Sequence, residues 1–180
     1  ILDMTVPSQP IKIFGIDPGY DRMGWAVGEV SGGAQFKLID CGCIQTPRTL
    51  SLFRRYQQLD QELTKLLLKF QPQEAALETL FFSKNQKTAM QVSEARGVIM
   101  SALFRADVEM AEYSPVQIKQ AVTGYGKADK SAVERMVMMQ LGQTPLPLQQ
   151  KVRQQLDDTL DAIGIALTHT TMRKFNQLQK

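Results

Sequence analysis

This 180-residue chain contains one histidine, two cysteines and one tryptophan. That scarcity leaves no Cys/His cluster of the kind that binds zinc. Cys41 and Cys43 stand two apart in a predicted strand. They share a face, where a disulfide between them would be strained, and they read as reduced thiols in a reducing cytoplasm. No stretch approaches the roughly 20 apolar residues of a membrane span, and no signal peptide is visible, so membrane partners are not expected. Charge of one sign is also lacking: 21 Lys and Arg against 18 Asp and Glu give a net charge of +3. That excess is compatible with nucleic acid without demanding it. No repeat or low-complexity linker divides the chain. Its length suits one domain with a sizeable core. The expected division is a lead-in over residues 1–10, a single domain over 11–171 and a basic tail over 172–180. Met4 reads as the natural start.

The apolar pattern gives the elements. Residues 11–17 read as a buried strand stopped by Pro18-Gly19, and 25–30 and 35–45 as two more, joined by a turn at Ser31-Gly32-Gly33. The connections are too short for crossovers, so these three form an antiparallel meander. Leu52, Tyr56, Leu59, Leu63, Leu66, Leu67 and Phe70 repeat at helical spacing, ended by Pro72. A strand over 75–78, a long helix over 84–106 and a strand over 108–113 follow. Ser114-Pro115 opens a short helix as N-cap and first-turn proline, and Gly124-Tyr125-Gly126 breaks it. Residues 130–141 are helical, Pro145 and Pro147 mark a loop, and the last helix spans 157–171. This order predicts an α/β fold, a mixed five-stranded sheet flanked by helices.

Four carboxylates stand at three places in that frame. Asp17 ends the first strand. Glu78 ends a strand that should be central, where a charge is costly unless it is paired or metal-bound. Asp158 and Asp161, three apart, share a helix face. Together they suit hard divalent cations and phosphoryl-transfer chemistry. Each acid also has a plain structural reading. Asp17 can organise its Pro-Gly turn, and the pair on the last helix can be an ordinary acidic first turn. Asp157 reads as a dipole or cap residue. The phosphate loop of actin-like ATPases shares the strand-Asp-x-Gly pattern, but those proteins need two such domains. After Glu78, Phe81 reads as an exposed ring able to stack on bases, and Phe82 as core. The lone His169 reads as structural.

Phe14-Gly15-Ile16-Asp17-Pro18-Gly19, Ala76-Leu77-Glu78, Asn85 with Ala95-Arg96-Gly97-Val98, and Gln117-Ile118-Lys119-Gln120 run in order along the chain. Thr123-Gly124-Tyr125-Gly126-Lys127-Ala128-Asp129-Lys130 and Asp158-Thr159-Leu160-Asp161-Ala162-Ile163 through His169 complete the string. Together they resemble the RuvC family of Holliday junction resolvases. The resemblance covers residues 11–169 and implies an RNase H-like fold. It implies Asp17, Glu78, Asp158 and Asp161 as metal-binding carboxylates. Lys119 and Lys130 would lie near the scissile phosphate, and Phe81 would be the aromatic that stacks at the opened crossover. Some members carry His at the position of Asp158. Residues 145–155 are longer and more polar than the usual link into the final helix.

The expected activity is a Mg²⁺-dependent endodeoxyribonuclease, with two Mg²⁺ per site and Mn²⁺ as a substitute. It would resolve four-way DNA junctions by paired symmetric nicks during recombination and repair. A homodimer would offer one site to each strand, and a branch-migration motor complex is a further candidate partner. Lys84, Lys87, Arg96 and Lys127 are candidate phosphate contacts. The alternatives are a junction-binding protein that has lost cleavage and a related nuclease acting on RNA.

Overall fold

The first three strands pair as their short connections require. In the computed structural model β1 (Ile11–Asp17), β2 (Arg22–Val30) and β3 (Lys37–Gln45) form an antiparallel meander. Helix α1 (Leu52–Phe70) then crosses to β4 (Glu74–Glu78), and α2 (Gln86–Arg105) to β5 (Glu109–Tyr113). Both crossovers deliver parallel strands, and the sheet order is β3-β2-β1-β4-β5. Helices α3 (Pro115–Thr123), α4 (Lys130–Gln140), α5 (Leu146–Gln154) and α6 (Leu156–Leu178) complete the chain. The structure describes residues 9–31, 35–79, 86–142, 144–154 and 156–178, excepting the side chains of 86, 87, 156 and 174–178. No helix among them is long and apolar enough to cross a membrane.

Alternation along the strands sends side chains to two cores. Phe14, Ile16, Trp25, Val27 and Leu77 face α1 and α2, where they meet Leu59, Leu63, Ile99 and Leu103. Ile13, Ala26, Cys41 and Ala76 face α6, meeting Leu160, Ile163 and Ala166. Cys41 and Cys43 are both free, as their spacing predicted. The apolar residues of α2 fall on two sides. Ala95, Ile99, Ala102 and Leu103 are buried, while Met90, Met100 and Phe104 are exposed, Phe104 to 85%.

Helix α6 lies unusually close to the sheet. A Cβ on Gly15 would sit 2.2 Å from the carbonyl oxygen of Ala162, and one on Gly24 would sit 1.9 Å from that of Asp158. Two missing side chains thus let the helix backbone rest on β1 and β2. The far end of α6 is tied down by polar contacts. His169 Nε2 and Glu74 Oε2 are 2.7 Å apart, Arg173 grips both carboxylate oxygens of Glu74, and Tyr113 Oη meets His169 Nδ1 at 2.7 Å. His169 is therefore structural, as expected.

Three departures from the sequence reading bear on the packing. Strand β2 starts at Arg22, three residues early, because Arg22 to Gly24 pair with β3 and Gly24 also pairs with Asp17. The loop expected around Pro145 and Pro147 is instead α5. Pro147 falls in its first turn, where a missing N–H breaks no helical bond. Buried Val152 and the 2.5 Å bond from Lys151 Nζ to Asp40 Oδ1 hold α5 to the sheet. Residues 172–178, expected as tail, continue α6.

Gly24→Ala should force the first turns of α6 off the sheet and cost roughly 3 kcal/mol, the upper range for overpacking a tight contact. A urea-unfolding midpoint equal to that of the unsubstituted chain would mean the helix does not sit this close.

Candidate active site

Asp17 is the last residue of β1, and Glu78 the last of β4. The parallel register sets Ile16 beside Leu77, so the two acids end adjacent strands. Each stands an even number of residues from an α6-facing position, Ile13 or Ala76, so both carboxylates belong to the α6 face. The close approach of α6 at Gly24 then brings Asp158 and Asp161 over the same spot.

Electrostatics records this convergence. Burial pushes the Asp17 carboxyl up to about 8, and Asp161, Glu78 and Asp158 each add to the rise, against Lys130. Burial, with Asp161 next, also raises Glu78, which Lys119 opposes. Asp161 is raised by burial and by Asp157 and Asp158, while Lys130 lowers it. Carboxylates from β1, β4 and α6 that feel one another's charge, with oxygen the donor throughout, suit a hard divalent cation. Among the described residues no three acidic, His or Cys side chains are set to hold a metal ion as they stand. Asp158 is engaged by Arg22, whose Nε lies 2.5 Å from Oδ2, and Lys130 stands 3.9 Å from Asp161.

The turn after Asp17 is held by its own network. Thr46 donates its backbone N–H to the Asp21 carbonyl at 3.0 Å and its hydroxyl to that of Tyr20 at 2.5 Å. Buried Arg55 pairs with Asp21 and donates to Thr46 Oγ1 at 2.9 Å. Gly19 is needed for close approach, since a Cβ there would lie 2.1 Å from the Arg22 carbonyl oxygen.

The two candidate lysines flank the acids from α3 and α4. Ser114 and Gln117 form a reciprocal capping box that starts α3, and Gly124 ends it at φ 78°. Gln120 then ties the loop, donating to the Gly124 carbonyl at 2.8 Å and accepting from Gly126 N–H at 2.9 Å. Asp129 caps α4 through Ala132 N–H at 2.7 Å, which places Lys130 at its first position. Lys119, Lys130, Glu78 and Asp161 line one cleft of about 220 Å³ with Pro115 and Ile118. Burial opposes the charge on Lys130, yet Asp161 and Asp157 raise its pKa and keep it protonated.

Other expected positions divide. Arg96 is not free for phosphate: it is buried, donating to the Glu78 carbonyl at 2.5 Å and pairing with Glu112. It braces the strand end that carries Glu78. Asp157 is exposed and stands 3.5 Å from Lys130, outside the acid cluster. Lys127 is exposed on the loop before α4. Phe81, Phe82 and Lys84 lie outside the described residues, as does the side chain of Lys87. The sequence reading missed Arg22 and Cys43, whose Sγ is 3.5 Å from Asp158 Oδ2. No local motif marks either, since both reach Asp158 only through the β2–β3 pairing and the seat of α6.

The raised Asp17 fixes a pH dependence. Its carboxyl titrates near 3.8 when unfolded and about 8 when folded. Between those values the native state holds a proton that the unfolded chain has lost, so stability falls as pH rises through that window. The melting temperature of the metal-free protein should drop between about pH 6 and pH 8.5, and Asp17→Asn should flatten that slope. Parallel slopes for the two proteins would contradict the cluster.

Comparison with known proteins agrees with this geometry. The family model for crossover junction endodeoxyribonuclease RuvC matches residues 13–169. The chain is 43% identical to the crossover junction endodeoxyribonuclease RuvC of Petrotoga mobilis over 164 residues, 90% of this chain and 94% of that one. It is 40% identical to that of Caldicellulosiruptor saccharolyticus over 159 residues, 88% of this chain and 92% of the relative. Among solved structures, T. thermophilus RuvC in complex with Holliday junction substrate superposes with a TM-score of 0.81 at 30% identity, covering 92% of this chain and 96% of that one. The yeast mitochondrial Holliday junction resolvase, at 13% identity and a TM-score of 0.62, shares the fold. With the family model spanning both strand acids and both helix acids, and relatives of 40% identity or more over most of its length, the chain belongs to the RuvC family of crossover junction endodeoxyribonucleases.

Proposed function

We propose that this chain resolves four-way DNA junctions by metal-dependent hydrolysis at Asp17, Glu78, Asp158 and Asp161. Nucleases of this family are metal-dependent, and two Mg²⁺ are our reading for this site, with Mn²⁺ able to replace them. The observation that carries the proposal is the convergence of four carboxylates from β1, β4 and α6 at a point flanked by Lys119 and Lys130. When bound, a pair of Mg²⁺ supplies Lewis acidity for activating water and stabilising the leaving 3′-oxygen.

The chain's own residues do the rest. The four acids would hold the ions, with Arg96 bracing the Glu78 carbonyl and Gly24 admitting Asp158. Lys119 and Lys130 offset charge on the pentacovalent phosphate. Water attacks phosphorus, forming a new P–O bond as the P–O3′ bond breaks and O3′ takes up a proton, which leaves ligatable 5′-phosphate and 3′-hydroxyl ends. Phe81 stacks at the opened crossover, and Lys84, Lys87 and Lys127 contact backbone phosphates. The partner for symmetric nicking is a second copy of this chain, docked through the exposed Met90, Met100 and Phe104 face of α2.

Asp17→Asn and Asp161→Asn should each keep junction binding and lower the cleavage rate at least about a thousandfold, the equivalent of roughly 4 kcal/mol. Lys130→Ala should lower it about a hundredfold. A synthetic four-way junction, a plain duplex and a structured RNA, each incubated with Mg²⁺, test the substrate. Near-normal cutting by either Asp variant would sink the metal assignment, and preferential RNA cleavage would sink the junction assignment. Phe104→Glu should give monomers in light scattering and uncouple the paired nicks, whereas a dimer of unchanged stability would place the interface elsewhere.

A further inference from the structure

The proposed chemistry uses the cleft on the α3–α4 side of the acids. On the other side of Asp17 lies a second depression, of about 460 Å³, which includes Gly19, Arg22, Gln45, Thr46, Arg48 and Thr88 in its lining. Nothing in the hydrolysis described above requires it.

Its charge is distinctive. Among the described lining residues Asp21 is the acid, and two arginines, Arg48 and Arg55, bind it. Arg55 is buried and pairs with Asp21, and Arg48 Nη2 stands 3.2 Å from the same carboxylate. One buried guanidinium already matches that charge, so Arg48, whose side chain is 85% exposed, faces the depression as excess positive charge. Arg22 is half exposed and stands on the boundary, one of the lining residues yet bonded to Asp158 of the acid cluster. The rest of the wall includes amide and hydroxyl groups from Gln45, Thr46 and Thr88. Guanidinium donors beside the Gln45 amide in one concavity suit a ligand made of acceptors alone and carrying negative charge, the chemistry of a phosphodiester.

Continuity sets the occupant. Arg22 joins the depression to the acids, and Lys119 and Lys130 flank the acids from the other cleft. A strand whose scissile phosphate lies at the acids would therefore meet cations in both directions. We propose that this groove is a second phosphate-binding site on the DNA track, in which Arg48 and Arg22 hold the backbone on the opposite side of the cut from Lys119 and Lys130. Arg22 serves both sites, exchanging its bond to Asp158 for a DNA phosphate and so freeing Asp158 when the strand is in place. This inference rests on the DNA-cleaving reading of the acid cluster.

The test is binding of the full-length protein to a fluorescent four-way junction in EDTA, followed by anisotropy across a salt series. Arg48→Ala and Arg22→Ala should each weaken binding about threefold at low salt and reduce the slope of log K against log salt by about 1, as loss of one phosphate contact does. Arg48→Lys should restore most of the slope, and Lys65→Ala, on the distant face of α1, should leave it unchanged. Arg48 is too exposed to hold the fold, so its variants read binding rather than unfolding. Unchanged affinity and slope in both alanine variants, with Lys119→Ala weakened, would overturn the groove and leave the cleavage reading standing. Failure of the unsubstituted protein to bind the junction would overturn both.

Discussion

Helix α6 rests on β1 and β2 so closely that neither Gly15 nor Gly24 has room for a methyl group. The catalytic arrangement depends on that contact. Asp17 and Glu78 are placed by strand pairing alone, at the ends of neighbouring parallel strands. Asp158 and Asp161 arrive from a helix more than 130 residues later than β1, and nothing local to them determines how near they come. The glycines set the distance at one end. At the other, Glu74 binds His169 and Arg173, and its carboxyl is lowered to about 2 chiefly by the His169 hydrogen bond. Glu74 and Glu78 lie on the same face of β4, so the strand that anchors the far end of α6 also presents one of the four acids to it.

Bringing four acids together is unfavourable without compensation. The chain supplies part of it. Lys130 and Lys119 lower the carboxyls they approach, and Arg22 binds Asp158 directly. The residual cost appears in Asp17, whose carboxyl burial and its acidic neighbours push up to about 8. On the proposed reading a divalent cation would offset that cost and release the proton, linking metal affinity to pH through this residue. Arg96 answers a different need. Buried between Glu78 and Glu112, it stabilises the strand end from below the site. The sequence marks it as basic but says nothing of its burial.

Much of this was legible from residue order. The meander, both crossovers, the capped start of α3 and the Gly124 break follow from local chemistry, and local chemistry recurs in the structure. The four acids were legible because each sits at an element end with an apolar run before or after it. What escaped was non-local. Pro145 and Pro147 suggested a loop, because a first-turn proline and a helix breaker look alike without the packing of Val152. The expected β2 began only at Trp25, because the purpose of Gly24 is the approach of α6. Arg22 and Cys43 have meaning only once β2, β3 and α6 meet. The apolar residues of α2 could be counted but not divided, until burial separated Ile99 and Leu103 from Met90 and Phe104.

The central claim is that the seat of α6 builds one four-carboxylate metal site. Anomalous scattering from Mn²⁺ in crystals of the protein with an uncleaved junction tests it most directly. The account predicts Mn²⁺ among Asp17, Glu78, Asp158 and Asp161, with Arg22 displaced from Asp158. Mn²⁺ bound elsewhere, or Arg22 still on Asp158 beside a metal held by the other three acids, would contradict it.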